Sequence, residues 1–271
     1  MSGYILCSGA LAEHPFLLRE MNLMIYSAEE LCYYIYHDYP LIEDDFFSDE
    51  LLSFLEDELG HSYEAKVLRD MKEENQGLVL MLMSVLRLFH YYNETELKEF
   101  QFKVEEFRHN PPAKRRAMKA DFLLERGHYL SAIQIYHLFD SERKDPALGA
   151  DFYMLVNQHM AIGYVRLGLN NEAMLAYMQA FEAQPTEELT KQIYQFSLFT
   201  NIPLNGKIYN FIKPEWEAAW RGEFEEIEAQ GSLLATTGPT VAMFTKDSMK
   251  RKEALKTYID GIKKNYRTAI S

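Results

Sequence analysis

Two stretches of this chain repeat one another. One runs from Ala120 to Phe139, the other from Ala161 to Ala180. Each places a small residue mid-helix (Ala120, Ala161), a glycine seven residues on (Gly127, Gly168), an alanine five after the glycine (Ala132, Ala173) and an aromatic four after that (Tyr136, Tyr177). Pro146 follows the first stretch and Pro185 the second. The alanines suit a site where two antiparallel helices cross closely, because a larger side chain would force them apart. The aromatic one turn later lies on the same helix face and fills the groove. The glycine supplies the left-handed residue that ends one helix and starts the turn to the next. A chain written this way is expected to fold as stacked helical hairpins, with an ordinary antiparallel helical bundle with small crossing residues as the other reading.

The pattern resembles the tetratricopeptide-repeat family, and the resemblance covers residues 113–185. The second stretch carries Ala161, Tyr164, Gly168, Ala173, Tyr177, Ala180 and Pro185 at family positions. The first departs in having Leu123 where the family prefers an aromatic and Phe139 where it prefers alanine. Ala132 and Ala173 are 41 residues apart, longer than the family period, so the first helix of the second repeat is expected to be long. A degenerate third repeat would start at Glu187, its second helix interrupted by Pro203 and Pro214. The opening, Tyr4 to Pro15 with the helix from Ser27 to His37, resembles the start of bacterial proteins with similar repeats. The family likeness implies an all-α superhelix, or solenoid, in which the first helix of each repeat lines a concave wall. Residues on that wall would be Lys114, Asp121 and Glu125 in the first repeat, and Gln158, His159, Ile162 and Arg166 in the second. The family's pocket for a C-terminal carboxylate uses basic and amide side chains, whereas the matching positions here hold Ala117, Asp121 and His159. Asp121 would repel a carboxylate, so that use is disfavoured.

Outside the repeats the helical signals continue. Glycine (13) and proline (9) are sparse for 271 residues, which suits long helices. Ser27-Ala28-Glu29-Glu30 has the form of a capping box, and Asn93-Glu94-Thr95-Glu96 caps another helix ending near His109. Further helices are predicted at 49–59, 63–74, 78–92, 113–126, 130–143, 148–167, 171–183, 187–199, 214–234 and 247–266. The first 26 residues differ: Tyr4–Cys7 and Asn22–Tyr26 are short β-compatible runs with turn chemistry between them, so a β-ribbon or an extended lead-in is expected. Pro111-Pro112 is the clearest break. The expected organisation is 1–110, an N-terminal helical region; 111–235, the repeats; and 236–271, a loop and a basic helix.

Net charge is −13, against bulk affinity for nucleic acid or an anionic membrane. The charge is uneven: residues 246–271 hold eight Lys/Arg and three Asp/Glu, whereas residues 41–60 hold eight acids and no Lys or Arg. The plain reading of each is a solvated face; the sharper one docks the basic tail on the acidic run or on an acidic partner. The most apolar run, Leu78 to Phe89, is interrupted by Ser84 and Arg87 and falls short of the ~20 residues that span a bilayer. It reads as a buried central helix. Two cysteines, Cys7 and Cys32, suggest no disulfide framework. With no basic stretch ahead of an apolar one at the N-terminus, a cytoplasmic location is expected.

A search for chemistry finds little. Zinc-binding spacings are absent, and Glu58 and His61 form a single Glu-x-x-His where a di-iron bundle needs two. Residues 41–60 lack the order of a calcium loop. No phosphate loop, dinucleotide fingerprint or nucleophile elbow is present. Cys32, among Leu31, Tyr33 and Tyr34, reads as a buried thiol. Helices near 28–59 could form a helix-turn-helix, but its reading helix would turn Asp49, Glu50, Glu56, Asp57 and Glu58 toward phosphates. The expected function is therefore a non-enzymatic, protein- or peptide-binding scaffold with no cofactor, no metal, no nucleic-acid partner and no membrane association. The second reading is a peptide-responsive regulator acting on a protein target; the third is an enzyme or metal-binding helical bundle. Oligomeric state leaves no mark on the sequence.

Overall fold

The computed structural model describes residues 9, 11–19, 21–141, 148–237, 249–253, 255–257 and 259–260. Helices dominate, with one small two-stranded antiparallel sheet among the described residues. The chain divides into two compact units, Met1–Ala176 and Tyr177–Ser271. The expected break at Pro111-Pro112 lies inside the first unit, and the division falls within a helix.

The ribbon pairs β1 (Phe16–Leu18) with β2 (Leu23–Ile25), Phe16 opposite Ile25 and Leu18 opposite Leu23. The expected second strand is present, but its partner is Phe16–Leu18. The Tyr4–Cys7 run lies outside the described residues. A left-handed Asn22 (φ 49°) turns the chain between the strands, a conformation asparagine tolerates better than most residues. Ser27 caps α1 (Ala28–Asp38), accepting from the Glu30 amide. The Glu30 carboxylate reaches past the cap to the Tyr26 amide, at 2.6 Å, so the expected reciprocal box closes one residue early.

A 3-10 turn at Tyr39–Leu41 leads to α2 (Asp49–Ser53), which Ser48 caps and which widens into a π turn at Phe54–Glu58. Then come α3 (Ser62–Glu73), α4 (Leu78–Leu88) and α5 (Glu94–His109). Helix α4 is the apolar run; it packs on α1, α3 and α5 and buries Met81, Leu82, Met83, Val85 and Leu86. Each such side chain contributes about 1.5–3 kcal/mol of burial. The helix stops at Leu88, earlier than expected, where His90 turns left-handed (φ 54°). Asn93 starts α5 with a complete capping box closed by Glu96.

Pro112 occupies the first turn of α6 (Pro112–Glu125), where its missing N–H costs nothing. Helices α6 and α7 (Tyr129–Ser141) form a hairpin, and α8 (Ala150–Arg166) packs against both. Ala120 and Ala132 are fully buried, as a close crossing requires. Gly127 (φ 81°) ends α6 with the paired bonds of a Schellman motif: the His128 amide donates to the Leu123 carbonyl and the Gly127 amide to the Leu124 carbonyl. Gly168 (φ 74°) ends α8 the same way, with Leu169 donating to Tyr164 and Gly168 to Val165. Helix α9 (Asn170–Ala183) follows and carries the chain into the second unit.

The second unit holds the end of α9, then α10 (Glu187–Thr200), α11 (Gly206–Phe211) and α12 (Pro214–Thr237). Thr186 caps α10 and Asn205 caps α11. Tyr177 meets Phe196, Phe181 meets Phe211, and Tyr194 meets Trp220, giving this unit an aromatic core. The short α11 was not foreseen; it fits between Pro203 and Pro214, each of which blocks helix extension toward it. Of the predicted basic helix, the described residues 249–253, 255–257 and 259–260 are helical, and the rest lies outside the described residues.

Candidate functional site

Helical spacing puts Lys114, Ala117, Met118 and Asp121 on one stripe of α6, and Phe152, Leu155, Val156 and His159 on one stripe of α8. Because the two helices also touch each other, these stripes face one another across a cleft of about 180 Å³. Ala117 and Val156 form its buried floor, while Met118 and Leu155 stay more than 40% exposed at its lip. Lys114 lies at the N-terminal end of the α6 stripe.

The opposite end carries a polar network. Asp121 Oδ1 lies 2.7 Å from His159 Nδ1 and also accepts from the Tyr136 hydroxyl. Tyr136 reaches it from the α7 side of the hairpin and is fully buried. The hydrogen bond to Asp121 holds His159 above its ordinary pKa against the opposing effect of burial, with the charges of Asp121 and Glu125 adding to the rise. Burial, reinforced by the Asp121 charge, pushes the Tyr136 hydroxyl far up, so it stays a neutral donor. One carboxylate thus accepts from two elements of the fold and fixes how α6, α7 and α8 meet.

The structure brings Lys114, Asp121 and His159 together. It does not bring the other expected wall residues to the cleft: Glu125 and Arg166 are exposed beyond it, and Gln158 and Ile162 are half-buried elsewhere on α8. Glu125 contributes to the site through its charge, which adds to the rise in the His159 pKa. Tyr136, expected as a packing residue, is also a hydrogen-bond donor to the site, which its fifteen-residue separation from Asp121 hid.

Two further residues carried no recognisable signal. Gly163 in α8 sits in a tight crossing: a Cβ there would lie 3.0 Å from Ile133 and 3.3 Å from Leu124, so those side chains would have to give by a few tenths of an ångström. Arg126 at the end of α6 lies 2.8 Å from Asp38 Oδ1, donates to the His37 carbonyl and stacks on Phe122. It ties α1 to the hairpin. The Arg126–Asp38 approach is an ion pair rather than an aligned hydrogen bond.

Other candidates resolve into structure. Cys32 is fully buried, and burial, with the Glu29 charge, pushes its thiol far up. Glu58 pairs with His14 and not with His61. In the acidic run, Glu43 pairs with Lys119, Asp44 with Arg108, Asp49 with Lys72 and Glu56 with Arg69. Much of that charge is answered within the chain. Among the described residues no cluster of metal-ligating side chains forms, and no helix is long and apolar enough to cross a membrane. No family model, no curated protein and no solved structure matches the chain.

Proposed function

We propose that this protein is a tetratricopeptide-like scaffold that binds a peptide segment of a partner protein in the α6–α8 cleft and acts by binding, not catalysis. The observation that carries the reading is the pair Met118 and Leu155, two exposed apolar side chains on facing helices above a buried apolar floor. Apolar side chains exposed in a concave site offer area that a partner's side chain can bury. Lys114 at one end and the Asp121–His159 pair at the other would fix the direction of that segment. The Schellman-capped hairpin with alanines at its crossing supports the family likeness, since it is the arrangement that stacks first helices side by side. Asp121 is already engaged by two donors, so a peptide carboxylate has no cationic clamp at this position.

Selection of peptides on the immobilised protein from a random library tests it. Recovered peptides are expected to share an apolar anchor and to lose at least tenfold in affinity to a Met118→Asp/Leu155→Asp variant, about 1.4 kcal/mol or more. Peptides that bind wild type and variant alike would place the site elsewhere.

A further inference from the structure

Turning α6 by one residue, about 100°, moves from the apolar stripe to a basic one. Arg115, Arg116 and Lys119 lie on it, and Arg108 joins them from the end of α5. These four cations line a second cleft, of about 360 Å³, whose floor includes Ile42, Phe107 and Ile135. Among the described residues that line it, Glu43 is the only acid. In a chain with 41 acids and 28 bases, this wall is opposite in sign to the molecule.

The ion pairs here are asymmetric. Lys119 and Arg108 are rooted in the wall, with side chains 12% and 24% exposed. Their partners Glu43 and Asp44 come from the loop after the 3-10 turn and are 58% and 76% exposed. The cations belong to the cleft, and the carboxylates approach from the water side. Exchanging such pairs for equivalent ones costs little, because exposed ion pairs contribute only about 0–1 kcal/mol each. Arg115, half-buried on the same wall, has no carboxylate partner among the described residues. A guanidinium offers a planar fork of donors suited to a carboxylate.

We propose that this cleft docks an acidic peptide segment of a partner protein. Its carboxylates take the places of Glu43 and Asp44 on Lys119 and Arg108 and engage Arg115, while an apolar side chain between them sits on Ile42, Phe107 and Ile135. Charge complementarity selects the segment, and the apolar floor distinguishes it from a simple anion. A nucleic acid is the poorer fit, since a long polyanion also meets the field of a −13 chain. The loop carboxylates act as a resident competitor that any acidic partner must displace.

The test is fluorescence anisotropy on the full chain with three labelled probes: a short peptide of repeating Asp-Glu-Leu, its Lys-Lys-Leu counterpart and a single-stranded oligothymidine. The acidic peptide is expected to bind, to weaken as salt is raised and to lose about tenfold in affinity to Arg115→Ala/Arg116→Ala. Glu43→Gln/Asp44→Asn, which removes the competitor and leaves the wall intact, is expected to tighten it several-fold. That gain keeps the test decisive if the arginine variant misfolds. Failure of the acidic peptide to bind, equal binding of the basic one, or no gain in the loop variant would overturn the proposal. Tighter binding of oligothymidine, with the same loss on arginine replacement, would overturn it in favour of nucleic acid. None of these outcomes involves the α6–α8 cleft.

Discussion

Replacing Asp121 with alanine removes the acceptor that joins three helices. The Tyr136 hydroxyl is buried and then has no acceptor there; a lost hydrogen bond to a charged acceptor costs about 1.5–3 kcal/mol. The bond to His159 contributes less, about 1 kcal/mol, because both side chains are roughly one-third exposed and water screens them. The expected loss is about 2–4 kcal/mol, and part of it depends on pH. Asp121 raises the folded-state pKa of His159 above its unfolded value of about 6.5. The stability this supplies is fully present below about pH 6.5 and is lost as pH rises through the higher folded value. In Asp121→Ala the raising hydrogen bond is gone and burial of the ring opposes its charging. The gap between wild type and variant should therefore be wider at pH 5.5 than at pH 9 by about 1 kcal/mol. Both tryptophans, Trp216 and Trp220, lie in the second unit, so the readout is hydrogen exchange followed by mass spectrometry on peptides from α6, α7 and α8. A gap that is the same at both pH values would refute the role given to His159. Unchanged protection in α7 would refute the bridge to Tyr136.

Two further perturbations test the frame around the site. Gly127→Ala and Gly168→Ala each place a Cβ on a left-handed backbone and should cost about 1–2 kcal/mol, whereas Gly77→Ala, at φ −67° in open space, should be near neutral in the same urea titration. Arg126→Met leaves the buried Asp38 carboxylate without its counter-charge and should cost about 2–4 kcal/mol near pH 8, the low end reflecting an arginine side chain that is 36% exposed. Burial already raises the Asp38 pKa, so the variant should regain stability on acidification as that carboxyl takes up a proton; a loss that does not shrink between pH 8 and pH 5 would contradict the assignment.

The sequence alone determined the features that depend on a residue and its near neighbours. The helices, the caps at Ser27, Ser48 and Asn93, and the glycine stops at Gly127 and Gly168 all follow from short-range hydrogen bonding and backbone sterics. The stripes on α6 and α8 follow from helical periodicity, whereas Lys114, Asp121 and His159 are expected on one wall because the family resemblance implies it. Only the tertiary structure decided which stripes face each other and how far along. It placed the Tyr136 hydroxyl on Asp121, Arg126 on Asp38, and Ile133 against Gly163, and it left Glu125 and Arg166 outside the cleft. It also turned an acidic run that reads as one solvated face into separate partners for Lys119, Arg108, Lys72 and Arg69. Those pairings join residues up to 88 positions apart (Arg126 and Asp38), set by the angle and offset at which helices pack, and no local rule of spacing carries that information.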